Sequence, residues 1–195
     1  MSSKLEQLFD LVFLGKVKKF PKDLRLFLFT KNKMLRIYYG RITGEISFSE
    51  GIGKIQSMKC ERGNILDVFA KLEFIINEII QLKLLGANSG EKGLMLDNIL
   101  ANVDFFSRIK LLNDWNILDS KQLNFLMQTK QVRNSFAHCW DKKEVSYKGK
   151  FIEETFEEFK KDMETIWIVL LEVYDKEQQN IDFQKIIDEL NEMNK

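Results

Sequence analysis

The chain has 195 residues, 45% hydrophobic and 30% charged, with 30 Lys/Arg against 29 Asp/Glu for a net charge of +1. That is the composition of a soluble globular protein, long enough for one well-buried domain with a small appended subdomain. A single proline disfavours a many-stranded sheet, and one histidine with two distant cysteines excludes a disulfide framework and any zinc site of the usual spacings.

Charge is graded along the chain. Residues 1–62 hold 13 Lys/Arg against 6 Asp/Glu, and residues 150–195 hold 6 against 13. The basic third includes Lys16, Lys18, Lys19, Lys22, Arg25, Lys31, Lys33, Arg36 and Arg41, which could supply phosphate contacts or could pack on the acidic third. The first apolar stretch, Leu8 to Leu14, is interrupted by Asp10 and lacks a cleavage site, so no signal peptide is expected. Ile166 to Leu171 is too short to span a bilayer. A cytoplasmic protein with no membrane association is expected, its cysteines reduced.

Ser3-Lys4-Leu5-Glu6 is a capping-box pattern, and Leu5, Leu8, Phe9 and Val12 repeat at helical spacing. Pro21 ends or restarts this element, and Asp23 to about Tyr39 reads as a second helix. Gly40, Gly44, Gly51 and Gly53 mark the least regular part; Phe48 stands where a first Walker glycine belongs, which excludes a P-loop. A strong helix is expected from about Asn64 to Leu85, apolar on both sides and therefore central to a bundle. Leu66, Phe69, Ala70, Ile76, Ile80 and Leu84 share one face, and Glu73 and Asn77, four residues apart, fall inside that stripe. A carboxylate there is costly unless paired, so Glu73 is expected to meet Arg108, Arg133 or His138. The next helix runs from Leu94 to about Asn113.

Asp119 or Ser120 caps the helix that ends in Arg133-Asn134-Ser135-Phe136-Ala137-His138. Imidazole can take and give a proton near neutral pH, and a guanidinium offers a fork-shaped charge suited to phosphate. Asn134 lies four residues before His138, on the same helical face. On a wheel of about 100° per residue, Leu123, Leu126, Met127, Asn134 and His138 form one stripe, while Phe125, Val132 and Phe136 form the opposite one. The motif is thus expected to end a buried stripe in polar groups, with Arg133 and His138 about 140° apart. Residues 141–150 are polar, and Glu144-Val145-Ser146-Tyr147 with Lys148-Gly149 hints at a short hairpin. A helical stripe from Ile152 to Tyr174 and a last amphipathic helix from Asp182 close the chain.

Arg-Asn-x-Phe-Ala-His late in a helix resembles the signature of the HEPN superfamily: an Arg, usually followed by a polar residue, then a His four to six residues on. Asp104 to Leu112, Asn116-Ile117-Leu118, and Leu123 onward are similar to the branch containing mannitol operon repressor-like proteins. The resemblance covers residues 64–175 and implies an all-α bundle, frequent dimers with a composite site, and often metal-independent RNA cleavage. Such activity serves toxin–antitoxin, abortive-infection or CRISPR-associated systems. The expected architecture is therefore all-α, with a basic helical extension over residues 1–62, a HEPN-like bundle over 63–195 and a short hairpin after the motif helix.

The expected function is endoribonuclease, with Arg133, Asn134 and His138 catalytic, Glu73, Asn77 and Arg108 supporting them, and neither metal nor cofactor. RNA, a second copy of the chain and an antitoxin or other protein are the expected partners. The alternative is a non-catalytic HEPN module that binds nucleic acid or a protein partner, such as a transcriptional repressor. No segment reads as a helix-turn-helix with a basic recognition helix. A third reading is an assembly protein in which the motif only holds the bundle together.

Overall fold

The computed structural model describes residues 4–13, 15–19, 26–29, 34–38, 41–46, 48–86, 90–138 and 145–195. Helices dominate it. Residues 1–48, 81–98 and 175–195 form one compact unit, and residues 49–80 with 99–174 form another.

In the first unit, α1 (Lys4–Phe13) packs on α8 (Phe183–Met193). Leu8 and Val12 of α1 are buried, as are Phe183, Ile186, Ile187 and Leu190 of α8. Asp182 caps α8 by accepting from the Lys185 amide at 3.2 Å. Asn194, just past that helix, clamps the irregular segment after α1. Its Oδ1 accepts from the amides of Lys18 and Lys19 at 2.8 and 2.9 Å, and its Nδ2 donates to the Lys19 carbonyl at 2.9 Å. The chain's basic and acidic thirds therefore do meet here.

The helix expected over Asp23–Tyr39 is absent. Instead β1 (Leu26–Phe29), β2 (Met34–Tyr38) and β3 (Arg41–Ile46) form an antiparallel sheet in that order. Leu26 pairs with Ile37 and Phe29 with Met34; Met34 also pairs with Ile46, with a bulge between Arg36 and Ile37. A run such as Leu-Phe-Leu-Phe is too short for periodicity to separate strand from helix, and its aromatic, β-branched surroundings favour the strand. The basic extension is thus mixed rather than helical. Arg36 and Arg41 lie on strands, whereas Lys22, Arg25, Lys31 and Lys33 fall outside the described residues.

The second unit is a bundle. It contains most of α2 (Phe48–Gln56), α3 (Arg62–Leu85) through Ile80, the end of α4 (Gly90–Asn102), α5 (Phe105–Asp114), α6 (Ser120–His138) and α7 (Ile152–Gln178) through Tyr174. In α3, Val68, Phe69, Leu72, Ile75, Ile76 and Ile79 are all buried, the signature of a helix covered on more than one side. The single helix expected from Leu94 to Asn113 is two. Asp104 breaks it by capping α5, its Oδ1 accepting from the amides of Phe106 at 2.9 Å and Ser107 at 3.3 Å.

The hairpin after the motif helix is present: β4 (Ser146–Tyr147) and β5 (Lys150–Phe151) pair antiparallel. Lys148 and Gly149 both take positive φ, 51° and 78°, as a two-residue turn matched to strand twist requires. Tyr147 anchors the hairpin: it is buried, meets Phe159 edge-on at 5.1 Å, and donates to Asp162 Oδ2 at 2.6 Å. Burial, helped by the Asp162 carboxylate, pushes the phenol's pKa up. Lys148 beside it pairs with Glu158 at 2.6 Å and Asp162 at 2.7 Å, and these two carboxylates, Asp162 first, raise its pKa.

Candidate active site

Helix α6 carries the motif in its last two turns. Its buried residues are Leu126, Thr129, Val132 and Phe136, spaced three and four apart along one face. The stripe expected to be buried, Leu123-Leu126-Met127-Asn134-His138, is therefore misphased. Only Leu126 of it is buried, and His138 is exposed. Two residues of the opposite stripe, Val132 and Phe136, face the core instead. A near-even scatter of apolar residues around α6 left the phase undetermined from the sequence.

Arg133 sits on the shoulder of the buried face, half-exposed, with its guanidinium 5.5 Å from the centre of the Phe69 ring. Its Nη1 donates to Asn134 Oδ1 at 3.0 Å. Held by a ring face and a neighbouring amide, the guanidinium is oriented and keeps further N–H donors. His138 is the last residue of α6. Among the described residues no hydrogen bond or ion pair joins it to Arg133 or Asn134, in keeping with their wide angular separation.

Arg62 is a site residue that motif reading missed. It opens α3, and its Nη2 donates to the Ala137 carbonyl at 3.0 Å. This satisfies a carbonyl of the last turn of α6, where no helical partner is left. The negative end of a helix repels anions; a guanidinium fixed there offsets that repulsion beside His138. One N–H of Arg62 is used in this bond, and the side chain is otherwise exposed. The pairing joins residues 75 apart in sequence, so only a general signal was available: a helix end requires donors.

The three supporting residues come together, but not at the histidine. Arg108 donates from Nη2 to Glu73 Oε1 at 2.6 Å and from Nη1 to Asn77 Oδ1 at 2.8 Å. Glu73 thus meets Arg108, one of its three expected partners. The cluster is linked to the motif through rings. Arg108 lies 5.7 Å from the Phe105 ring centre, Phe105 packs on Phe69 at 4.8 Å, and Phe69 carries Arg133. Nearby, Lys130 of α6 approaches Asp104 at 3.6 Å. The Ser107 hydroxyl, donating to Asp104 at 2.5 Å, leads the effects that hold that carboxyl below its usual range.

The arrangement offers an exposed proton-transfer group at the end of α6 and one anchored guanidinium on the carbonyl of the residue before it. A second guanidinium is anchored five residues earlier, on a different face of the helix. These are side chains of the types that act on a phosphodiester. Among the described residues, no group of three or more His, Cys, Asp or Glu side chains could hold a metal ion, and no helix is long and apolar enough to cross a membrane. Comparison with protein-family models, with curated proteins and with solved structures finds no match to this chain.

Proposed function

We propose that the chain is a HEPN-type endoribonuclease that cuts RNA without a metal ion. The observation that supports this reading is the only histidine, exposed at the end of α6, on the same helix end as Arg62 on the Ala137 carbonyl and one turn beyond the anchored Arg133. The ribose 2′-oxygen attacks the adjacent phosphorus and the bond to the 5′-oxygen breaks. The products are a 2′,3′-cyclic phosphate and a 5′-hydroxyl. His138 takes the 2′-hydroxyl proton or delivers one to the leaving oxygen, and Arg133 stabilises charge on the phosphoryl oxygens. Asn134 orients Arg133, to which it is bonded. Separate acid and base groups require two histidines, so the working form in this reading is a homodimer whose motifs combine. The resemblance, rather than the geometry, supports a role as a cytoplasmic toxin or antiviral defence effector with an antitoxin or other protein partner.

The test is cleavage of single-stranded RNA by purified protein in EDTA, with product ends identified by mass. His138→Ala should lose about 10²–10⁴-fold in rate, and a variant as active as the parent refutes the reading. Inactive Arg133→Ala and His138→Ala proteins regain activity on mixing if one hybrid site receives both intact groups.

A second reading is favoured by one observation: Arg133 is already engaged by Phe69 and Asn134, as a purely structural residue would be. A non-catalytic module that binds nucleic acid or a protein partner would shift RNA in a gel without cutting it.

A further inference from the structure

We propose that a cleft between the end of α3 and the turn joining α7 to α8 binds a zwitterionic α-amino acid with an aliphatic side chain, Asp182 taking its ammonium and Lys185 its carboxylate. The cleft lies wholly within the first unit and encloses about 420 Å³, within the range of small-molecule sites. Its apolar lining is Leu82, Ile181 and Ile186, of which Ile186 is buried and the other two are half-buried. Helix α3 ends on Gly86, which lines the cleft with a φ of 69° and no side chain. Among the described residues nothing lies within 4 Å of where its Cβ would stand.

Charged side chains of both signs line the cleft, and they are not equivalent. The Lys83 ammonium spans both oxygens of Glu177, at 3.0 and 3.2 Å, so that pair is closed on itself. Asp182 and Lys185, three residues apart, form no ion pair with each other among the described residues. One oxygen of Asp182, Oδ1, accepts from the Lys185 amide at 3.2 Å; the other makes no bond among the described residues. The Lys185 ammonium comes no nearer to a described carboxylate than 3.9 Å, at Glu189, which is beyond hydrogen-bonding reach. An acceptor and a donor of opposite charge therefore stand open on one cleft, side by side on the first turn of α8.

This charge pattern selects the ligand. A simple anion meets the Asp182 carboxylate and a simple cation meets the Lys185 ammonium, whereas a molecule with both charges one carbon apart avoids both repulsions. No aromatic side chain lines the cleft, so a nucleobase has no ring to stack on. Leu82, Ile181 and Ile186 instead match a branched hydrocarbon, whose burial supplies affinity while the two charge-assisted bonds fix its orientation. A polypeptide terminus carries only one of the two charges and fills half of the pattern. Neither RNA nor His138 takes part, so the site is independent of cleavage.

The experiment uses the full chain, isotope-labelled, with the amides of Gly86, Ile181 and Lys185 followed by NMR as L-leucine is added. Leucinamide, which lacks the carboxylate, and N-acetylleucine, which lacks the ammonium, are titrated in parallel. The expected result is saturable shifts at these amides with L-leucine. Both analogues should bind at least about tenfold more weakly, each having lost one charged hydrogen bond. Serine, with no hydrocarbon to bury, should also bind more weakly than leucine. In Lys185→Gln leucine should bind no better than leucinamide, and in Asp182→Asn no better than N-acetylleucine. Both variants are expected to fold, since Asn caps a helix as Asp does and Gln suits a helix as Lys does; their melting curves check this. The proposal is overturned by the absence of a saturable shift with leucine, by analogues that bind as tightly as leucine, or by discrimination that survives both substitutions. Each of these outcomes leaves the cleavage reading untouched.

Discussion

Removing the Glu73 carboxylate tests how the bundle tolerates a buried cation. Arg108 is only 8% exposed, and among the described residues its guanidinium is bonded by Glu73 and Asn77 alone, its Nε having no partner there. In Glu73→Ala the cation keeps one acceptor, the Asn77 carbonyl. Breaking a buried pair from one side costs about 3–5 kcal/mol. Glu73 retains 27% side-chain exposure, and water reaching the vacated space offsets part of that cost. The expected loss is therefore about 2–4 kcal/mol. For a chain of this size that lowers the melting temperature by roughly 4–16 °C, measurable by circular dichroism at 222 nm with urea unfolding in parallel. The double variant Glu73→Leu/Arg108→Met removes both charges and fills the space with apolar atoms, and should recover most of the loss. An unchanged midpoint in Glu73→Ala, or a double variant as unstable as the sum of the two single ones, refutes the reasoning.

Other expectations follow from the same geometry. Tyr147→Phe removes a hydroxyl donated to a carboxylate and should cost about 1.5–3 kcal/mol in urea unfolding at neutral pH. Because the folded phenol's pKa lies above its ordinary value of 10.0, Tyr147 stabilises fully below pH 10 and loses that contribution as pH rises beyond it. Stability of the parent should thus fall more steeply above pH 10 than that of Tyr147→Phe. Asn194→Ala should cost about 1–2 kcal/mol, since water can replace part of its bonding to the Lys18–Lys19 backbone, and should speed amide exchange at both residues. Arg62→Ala should slow RNA cleavage roughly tenfold or more in kcat, with Arg62→Lys restoring part of it; equal rates in all three proteins would make Arg62 a cap and nothing else.

The helices and the buried pair were legible because their signals are local. Apolar residues on more than one side of residues 64–85 required a central helix, and a carboxylate within such a stripe required a cation. Asp104 was overlooked as a helix start because Leu94 to Asn113 keeps a helical rhythm across it, so that only the cap chemistry marks the break. The sheet was missed because strands of four to six residues are shorter than the window over which period two and period 3.6 separate. The phase of α6 depended on which side α3 and α5 would cover, a tertiary choice. Arg62 on the Ala137 carbonyl depends on distant parts of the chain meeting, and composition carries no trace of it.

The stack Arg108–Phe105–Phe69–Arg133 bears on how portable the motif is. Two like charges are kept apart by two aromatic rings, each offering an electron-rich face. Transplanting α6 alone into another helical scaffold would carry over the histidine and the asparagine, but leave the arginine to wander. The heritable unit is then three helices rather than six residues. Sequence drift at Phe69 or Phe105 should be tolerated only as exchange between aromatic types, and a chain with aliphatic residues at both positions would keep the motif's spelling while losing its aim.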